Sequence, residues 1–151
     1  MSLSQNSQYL ESKVLTASPQ RLHLMLIEGA QRFGRQAEEA LRRGDMEAAA
    51  TQLLRVLDIV GELLAGVRAK KSELNTKLAD FYWFLFRRVS LAKIHGDALP
   101  LAEVLKLLEF ERQTWQLACD KLEGAPGLSA AVRAPHSFAP RGVETRLTLE
   151  A

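Results

Sequence analysis

This sequence of 151 residues lacks several features that are typical of particular classes of protein. It has a single cysteine, Cys119, so no disulfide can form within the chain. Its 20 basic and 18 acidic residues give a net charge of only +2, which leaves no strongly basic field of the kind that attracts nucleic acid. Charged residues interrupt every hydrophobic segment before it reaches the roughly 20 residues needed to cross a bilayer. We therefore expect neither nucleic-acid binding nor insertion in a membrane.

A targeting segment is also missing from the start of the sequence. Residues Met1 to Leu10 are mostly polar, with no positively charged start followed by an apolar run of the signal-peptide type. Together with the lone cysteine, this predicts a cytoplasmic protein.

The residue sets that perform chemistry are absent as well. None of the three histidines, His23, His95 and His136, has a glutamate three residues before it, as the Glu-x-x-His pairs of di-iron helical bundles require. Glycine-rich phosphate loops and Ser-His-Asp sets are not found either. We expect no metal site, no cofactor and no catalysis, and we interpret Cys119 as a small core residue. A phosphotransfer module that uses His95 is the remaining chemical alternative.

What the sequence does contain is helical periodicity. The 47% hydrophobic and 25% charged residues suit one domain with a real core, and apolar residues recur at spacings of three and four in four long segments. Serine, aspartate or proline stands at the start of each segment and glycine near its end, as helix caps do. The predicted helices run from about Pro19 to Arg43, from Asp45 to Val67, from Ser72 to His95, and from Pro100 to Gly124.

Short connections between long helices favour antiparallel neighbours, so the pattern predicts an all-α, up-down-up-down four-helix bundle. We assign residues 1–18 to an N-terminal arm, residues 19–123 to the bundle, and residues 124–151 to a flexible or loosely docked tail. The tail holds three of the five prolines and shows little periodicity.

The junction between the arm and the first helix has its own signals. Thr16 and Ser18 have hydroxyls that can cap backbone N–H groups, and Pro19 suits the first helical position. Tyr9 and Val14 are apolar groups on a segment in which we find neither a helical nor a strand period. We therefore predict an extended arm that lies against a folded surface.

Some apolar residues fall outside the inward stripes of the predicted helices. At about 100° per residue, Trp83 lies opposite Leu74 on the third helix and Phe110 lies opposite Leu101 on the fourth. Phe86 and Leu107 lie at the flanks of those stripes, and Leu24 and Ile27 are rotated off the stripe of the first helix. Exposed apolar residues in such numbers indicate an interaction surface, and an amphipathic partner helix would fit a groove of this kind. The residues that we assign to partner binding are Tyr9, Val14, Leu24, Ile27, Trp83, Phe86, Leu107 and Phe110.

Three other residues receive structural roles. Tyr82 and Trp115 lie on inward stripes and are expected to pack in the core. Gly29 would allow two helices to approach closely.

Several of these elements occur together in one known family. The run from Thr16 to Pro19 reads Thr-Ala-Ser-Pro, Tyr9 precedes it, and the first helix contains Leu26-Ile27-Glu28-Gly29-Ala30. This arrangement resembles the flagellin export chaperone family (FliS), whose members have a tyrosine-bearing arm, a Thr-Ala-Ser-Pro turn and a Leu-Tyr-Asp-Gly-Ala helix core. Two later segments are also similar to that family and include Leu78, Tyr82, Arg87 and Arg88, and then Leu108, Arg112 and Trp115. The resemblance covers about residues 8 to 122.

The resemblance implies a function. Members of that family bind the disordered C-terminal segment of flagellin as helices wrapped around the bundle, which prevents premature polymerisation and presents flagellin to the flagellar export gate. By the same resemblance Tyr9 would plug the groove until the client displaces it. The sequence departs from the family pattern in having Ile27 in place of tyrosine, Glu28 in place of aspartate, and Gln5 where a second arm tyrosine is frequent.

The outward apolar residues also allow a function without a flagellin client. The arm, the tail or a second copy of the chain could cover Trp83 and its neighbours. The alternative function is therefore a dimerisation or signalling bundle.

Overall fold

The computed structural model describes residues 3–124, and the predicted tail from residue 125 onward lies outside the described residues. Within that part the chain is all-α, with five helices and no strand, as the sequence predicts for the bundle. None of these helices combines the length and the apolar character needed to span a membrane. The helices are α1 (Leu3–Thr16), α2 (Pro19–Arg42), α3 (Met46–Arg68), α4 (Glu73–His95) and α5 (Ala98–Gly124).

The segment before the bundle is helical, so the prediction of an extended arm is wrong. Residues Leu3–Thr16 form α1, and the described side chains from Ser4 to Thr16 are exposed. The segment contains no glycine or proline and includes leucine, glutamine, glutamate and lysine, which favour helix even where little tertiary packing supports it. A helix also pairs its own backbone groups, so α1 needs no folded surface to satisfy them.

Local capping signals define the helix ends. The Ser18 hydroxyl accepts a hydrogen bond from the Arg21 backbone N–H at 3.1 Å, and Pro19 occupies the first turn of α2. Ser72 caps α4 in the same way through the N–H of Asn75, at 3.0 Å. These predictions are confirmed. Thr16 behaves differently from the prediction, because its hydroxyl donates back to carbonyl groups within α1 and does not cap α2.

Helices α2 to α5 form the four-helix bundle. Each packs against its neighbours in chain order, and α5 returns to pack against α2, which closes the ring. Arg21 at the start of α2 forms an ion pair with Glu123 at the end of α5, with 2.8 Å between Nη2 and Oε1, so these two helices are antiparallel. All four helices contribute fully buried core residues, among them Ile27, Leu53, Val56, Val60, Tyr82, Leu85, Val89, Leu101, Val104 and Leu108.

Two glycines let α2 approach its neighbours closely. A Cβ atom at Gly29 would lie 3.3 Å from the Ile59 Cδ1 atom of α3, which agrees with the close approach predicted for this residue. A Cβ at Gly34 would lie only 2.7 Å from Leu105 Cδ2 of α5, nearer than real Cβ contacts come. Gly34 therefore sets the spacing between α2 and α5, a role that the sequence analysis missed.

The buried side of α2 is wider than the predicted stripe. Leu24 and Ile27 are both 0% exposed, so the prediction that they point away from the core is wrong, and with it the reason for assigning them to partner binding. The reason is the position of α2 between α3 and α5, which buries residues over two adjoining sides of the helix. By contrast Leu26 is 36% exposed.

Candidate functional site: outward apolar faces of α4 and α5

Two aromatic residues of α4 lie together on the outside of the bundle. The rings of Trp83 and Phe86 stack with their centroids 5.8 Å apart and an interplanar angle of 15°. The Arg87 guanidinium lies 5.9 Å from the Trp83 ring centroid, within the range of a cation–π contact. Trp83 is 44% exposed, so its predicted outward orientation is confirmed.

Phe86 points towards α3. A Cβ atom at Gly61 of α3 would lie 3.9 Å from Phe86 Cε2, an ordinary packing distance. Gly61 therefore leaves space beside the ring, and Phe86 is partly buried there. We call Trp83, Phe86 and Gly61 the α3–α4 face.

Leu107 and Phe110 belong to a different part of the surface, along the seam between α4 and α5. Phe110 is 70% exposed, which confirms its predicted orientation, while Leu107 is partly buried against the core. An ion pair between Arg88 and Glu103 crosses this seam. Leu107 lies four residues after Glu103 and Phe110 seven residues after it, so both share a side of α5 with that glutamate.

The same spacing argument applies on α4. Phe84 and Leu91 lie four residues before and three residues after Arg88, so they flank the seam from the α4 side. They are 39% and 38% exposed. We call Phe84, Leu91, Leu107 and Phe110 the α4–α5 face.

The prediction that Trp83, Phe86, Leu107 and Phe110 line one groove needs correction. Phe86 packs beside α3, whereas Leu107 and Phe110 lie on α5, so the outward apolar residues form two faces on either side of α4. Phe84 and Leu91 were not assigned to the site. Their spacing from Arg88 identifies them as part of this face only when the ion pair between Arg88 and Glu103 is known.

The predicted arm residues do not cover either face in this structure. Tyr9 is 67% exposed and Val14 is 43% exposed. Their assignment to partner binding, and the role of Tyr9 as a plug, therefore stay predictions.

Behind these faces, a partly buried polar network joins α2, α4 and α5. The Tyr82 hydroxyl donates to Glu111 Oε2 at 2.8 Å, and Trp115 Nε1–H donates to the same oxygen at 3.2 Å. His23 Nε2 lies 2.6 Å from the Tyr82 hydroxyl, and the His23 ring stacks on Trp115 with centroids 4.0 Å apart. His23 thus has partners that its neighbours in the sequence did not indicate, whereas Tyr82 lies in the core as predicted.

The hydrogen-bond directions in this network fix the form of His23. Because the Tyr82 proton goes to the Glu111 carboxylate, the tyrosine oxygen is left to accept, and His23 Nε2 must be protonated in order to donate to it. Burial lowers the pKa of His23 to about 4, which keeps the imidazole neutral near pH 7. Burial, followed by the nearby Glu111 carboxylate, raises the pKa of Tyr82. The network thus consists of neutral donors around one carboxylate.

A second polar cluster ties α2 to α5 closer to the surface. Gln31, which is only 2% exposed, donates through Nε2 to Glu109 Oε1 at 2.8 Å. Arg112 binds both carboxylate oxygens of Glu109 at 3.0 Å, and Gln113 donates to one of them. Hydrogen bonds from Arg112, then from Gln31 and Gln113, lower the pKa of Glu109 to about 2. These contacts position α5 on α2.

The described residues offer little that resembles a reactive centre. Between residues 3 and 124, no group of three or more His, Cys, Asp or Glu side chains could hold a metal ion. Cys119 is buried, and burial is the main cause of the raised pKa of its thiol, which disfavours the reactive thiolate. His95 is exposed in the last turn of α4. The arrangement as a whole is suited to binding a partner through apolar faces.

Comparison with known proteins agrees with this architecture. The sequence model of the family described as flagellar protein FliS matches residues 2–122. The chain is 33% identical over 110 residues to the flagellar secretion chaperone FliS of Bacillus subtilis. The aligned residues make up 73% of this chain and 82% of that protein. It is also 33% identical over 109 residues to the flagellar secretion chaperone FliS of Salmonella typhimurium, over 71% of this chain and 81% of that protein. Since the family match extends over α1 to α5, this chain belongs to the FliS family of flagellar proteins.

Proposed function

We propose that this protein is a cytoplasmic export chaperone that binds the C-terminal segment of flagellin and keeps it from polymerising before secretion. The observation that supports this proposal most directly is the pair of outward apolar faces on α4 and α5. Several large exposed aromatic side chains on neighbouring helices, such as Trp83, Phe84 and Phe110, indicate a surface that a partner covers. The family match supplies the kind of partner, because two relatives are named flagellar secretion chaperones.

The proposed mechanism is binding without catalysis. Apolar residues on one side of an amphipathic client helix would pack on the α4–α5 face, and the α3–α4 face would take a further part of the client. Burial of apolar area contributes about 25 cal/mol per Å². The ordering of a flexible client offsets part of this by a few kcal/mol, on the order of 2–5. The bound client is then unable to self-assemble and is available to the flagellar export gate.

The first test is calorimetric titration of the full chain with the C-terminal segment of flagellin from the same organism. We expect saturable one-to-one binding with a negative heat-capacity change, because apolar surface is buried. A wild-type chain that gives no heat of binding at two temperatures about 15 °C or more apart would rule out flagellin as the client.

Aspartate variants then test the surface. Trp83→Asp and Phe110→Asp should each weaken binding by about tenfold or more, and the double variant by about a hundredfold, because each places a charge in a desolvated contact. Leu74→Asp is the matched control, since Leu74 is 63% exposed on α4 and belongs to neither face. Circular dichroism should show the same helix content for all four chains. Unchanged affinity in the double variant would refute the assignment of the site while leaving the client open.

The role of α1 is tested by removing residues 2–13. If Tyr9 competes with the client for an apolar face, as the resemblance implies, the shortened chain binds flagellin more tightly. Equal or weaker binding would show that α1 is not a plug.

A homodimer through the same faces is the second candidate, because a second copy would cover the same exposed aromatic residues. Sedimentation of the wild type and of Phe110→Asp separates the two proposals. A dimer that the substitution dissociates, in a chain that does not bind flagellin, would favour dimerisation.

A further inference from the structure

A pocket of about 300 Å³ opens at the end of the bundle opposite to the start of α2. It lies where the turn between α2 and α3 meets the last turn of α4. Its inner wall is apolar and includes Leu53 and Ala92, which are 1% and 0% exposed. The volume is at the lower end of the range for ligand pockets and is large enough for one bulky side chain.

The rim of the pocket is apolar and open to solvent. Met46 is 54% exposed and Ile94 is 72% exposed, and both line the opening. Methionine at a rim can adapt to different shapes, because its side chain is flexible and polarisable. Ala49 and Ala50 also line the pocket, and their small side chains leave the space inside the rim open. Exposed apolar groups around a concave apolar wall are the arrangement in which a partner's side chain gains most by burial.

Lys93 places one ammonium group at the rim of the pocket. Lys93 and His95 line the pocket and are exposed, and Lys93 makes no ion pair within residues 3–124. Asp45 accepts from the Ala48 N–H and Asp97 accepts from the Leu99 N–H, and neither they nor Glu47 forms an ion pair with Lys93. An acidic group of a partner would therefore find an available ammonium beside the apolar pocket.

We propose that this pocket binds a protein segment in which a large apolar residue lies next to an acidic residue. The apolar side chain fills the space above Leu53 and Ala92, and the carboxylate pairs with Lys93. None of the residues that line the pocket belongs to either face assigned to flagellin, although Leu91 of the α4–α5 face is only two residues before Lys93. The proposal therefore does not depend on the proposed function.

The test uses the full chain labelled with ¹⁵N and two blocked peptides, Ac-Glu-Phe-Glu-NH₂ and Ac-Lys-Phe-Lys-NH₂. The acidic peptide should shift the amide signals of Ala50 and Gly96 in a saturable way. The basic peptide should bind at least about fivefold more weakly, because it places ammonium groups beside Lys93. Equal binding of the two peptides, or shifts confined to other parts of the bundle, would overturn the proposal.

Variants of the pocket complete the test. Ala50→Trp fills the space and should weaken binding of the acidic peptide by about tenfold or more, because the apolar residue can no longer be buried. The control is Ala65→Trp, the same change at an exposed position of α3 outside the pocket. If Ala50→Trp does not fold, Ile94→Asp, at an exposed position, replaces it.

The charge is tested separately. Lys93→Glu should weaken the acidic peptide and strengthen the basic one, each by about threefold or more. Lys77→Glu, at another exposed position of α4, should change neither. The free acid 3-phenylpropionate is the final probe. Saturable binding of that acid without binding of the acidic peptide would identify the site as one for small carboxylic acids and would refute a protein partner.

Discussion

The two ends of the bundle differ in the contacts that hold the helices together. Near the start of α2, three helices are joined by directed hydrogen bonds among His23, Tyr82, Glu111 and Trp115. At the other end, where α2 turns into α3 and α4 ends, the helices surround an open apolar pocket rimmed by Met46 and Ile94. Buried polar groups allow few arrangements because each must find its partner, whereas an open apolar wall can accept several shapes. The polar network therefore fixes how the helices pack at one end, whereas the pocket at the other end can adapt to different shapes.

The largest expected effect comes from removing the centre of the polar network. Tyr82→Ala should lower the free energy of unfolding by about 3–5 kcal/mol, because it leaves a cavity in the core and also removes the partner of His23 and Glu111. Ile94→Ala, at the opposite end, should change stability by no more than about 0.5 kcal/mol. Urea unfolding followed by circular dichroism measures both. Equal losses from the two variants would remove the contrast between the ends.

A fall in pH is expected to lower the free energy of unfolding by a smaller amount. Since burial holds the pKa of His23 at about 4, below the unfolded value of about 6.5, the unfolded chain takes up the proton first as the pH falls. The contribution of neutral His23 to the free energy of unfolding is fully present above pH 6.5 and is lost as the pH falls from there towards 4. The loss amounts to about 3 kcal/mol.

The control for acid is His23→Gln, which keeps a donor for Tyr82 but does not titrate. Subtracting its unfolding free energy from that of the wild type at each pH cancels the carboxylates that titrate in the same range. A difference that does not vary between pH 4 and 6.5 would show that His23 is not held in its neutral form.

The smallest effect sharpens the comparison at the adaptable end. Gly96 ends α4 with φ of +63°, a conformation that side chains with a Cβ adopt at a cost. A Cβ there would also lie 3.2 Å from Met46 Sδ, the end of a flexible side chain that can move away. Gly96→Ala should therefore cost only about 1 kcal/mol. A loss as large as that of Tyr82→Ala would show that this end is packed as rigidly as the other.

The features that the sequence predicted well are those determined by near neighbours in the chain. The starts of α2 and α4 follow from Ser18 with Pro19 and from Ser72, because a cap bonds to an N–H group only three residues away. The outward direction of Trp83 and Phe110 likewise follows from the helical period alone.

The features that escaped prediction depend on residues far away in the chain. His23 bonds to a residue 59 positions later, and Tyr82 bonds to one 29 positions later, so no local pattern marks the network. Leu24 and Ile27 were misplaced because the buried side of α2 is set by two neighbouring helices rather than by its own periodicity. The division of the outward residues into two faces depends in the same way on Phe86 lying beside Gly61.

The helical form of α1 limits what its tyrosine can touch. Seven residues separate Tyr9 from Thr16, and in a helix they span only about 10 Å. The same residues in extended form would span about 23 Å. Winding or unwinding these two turns would therefore shorten or lengthen the tether that holds the tyrosine to the bundle, and so would set which parts of the surface lie within its reach.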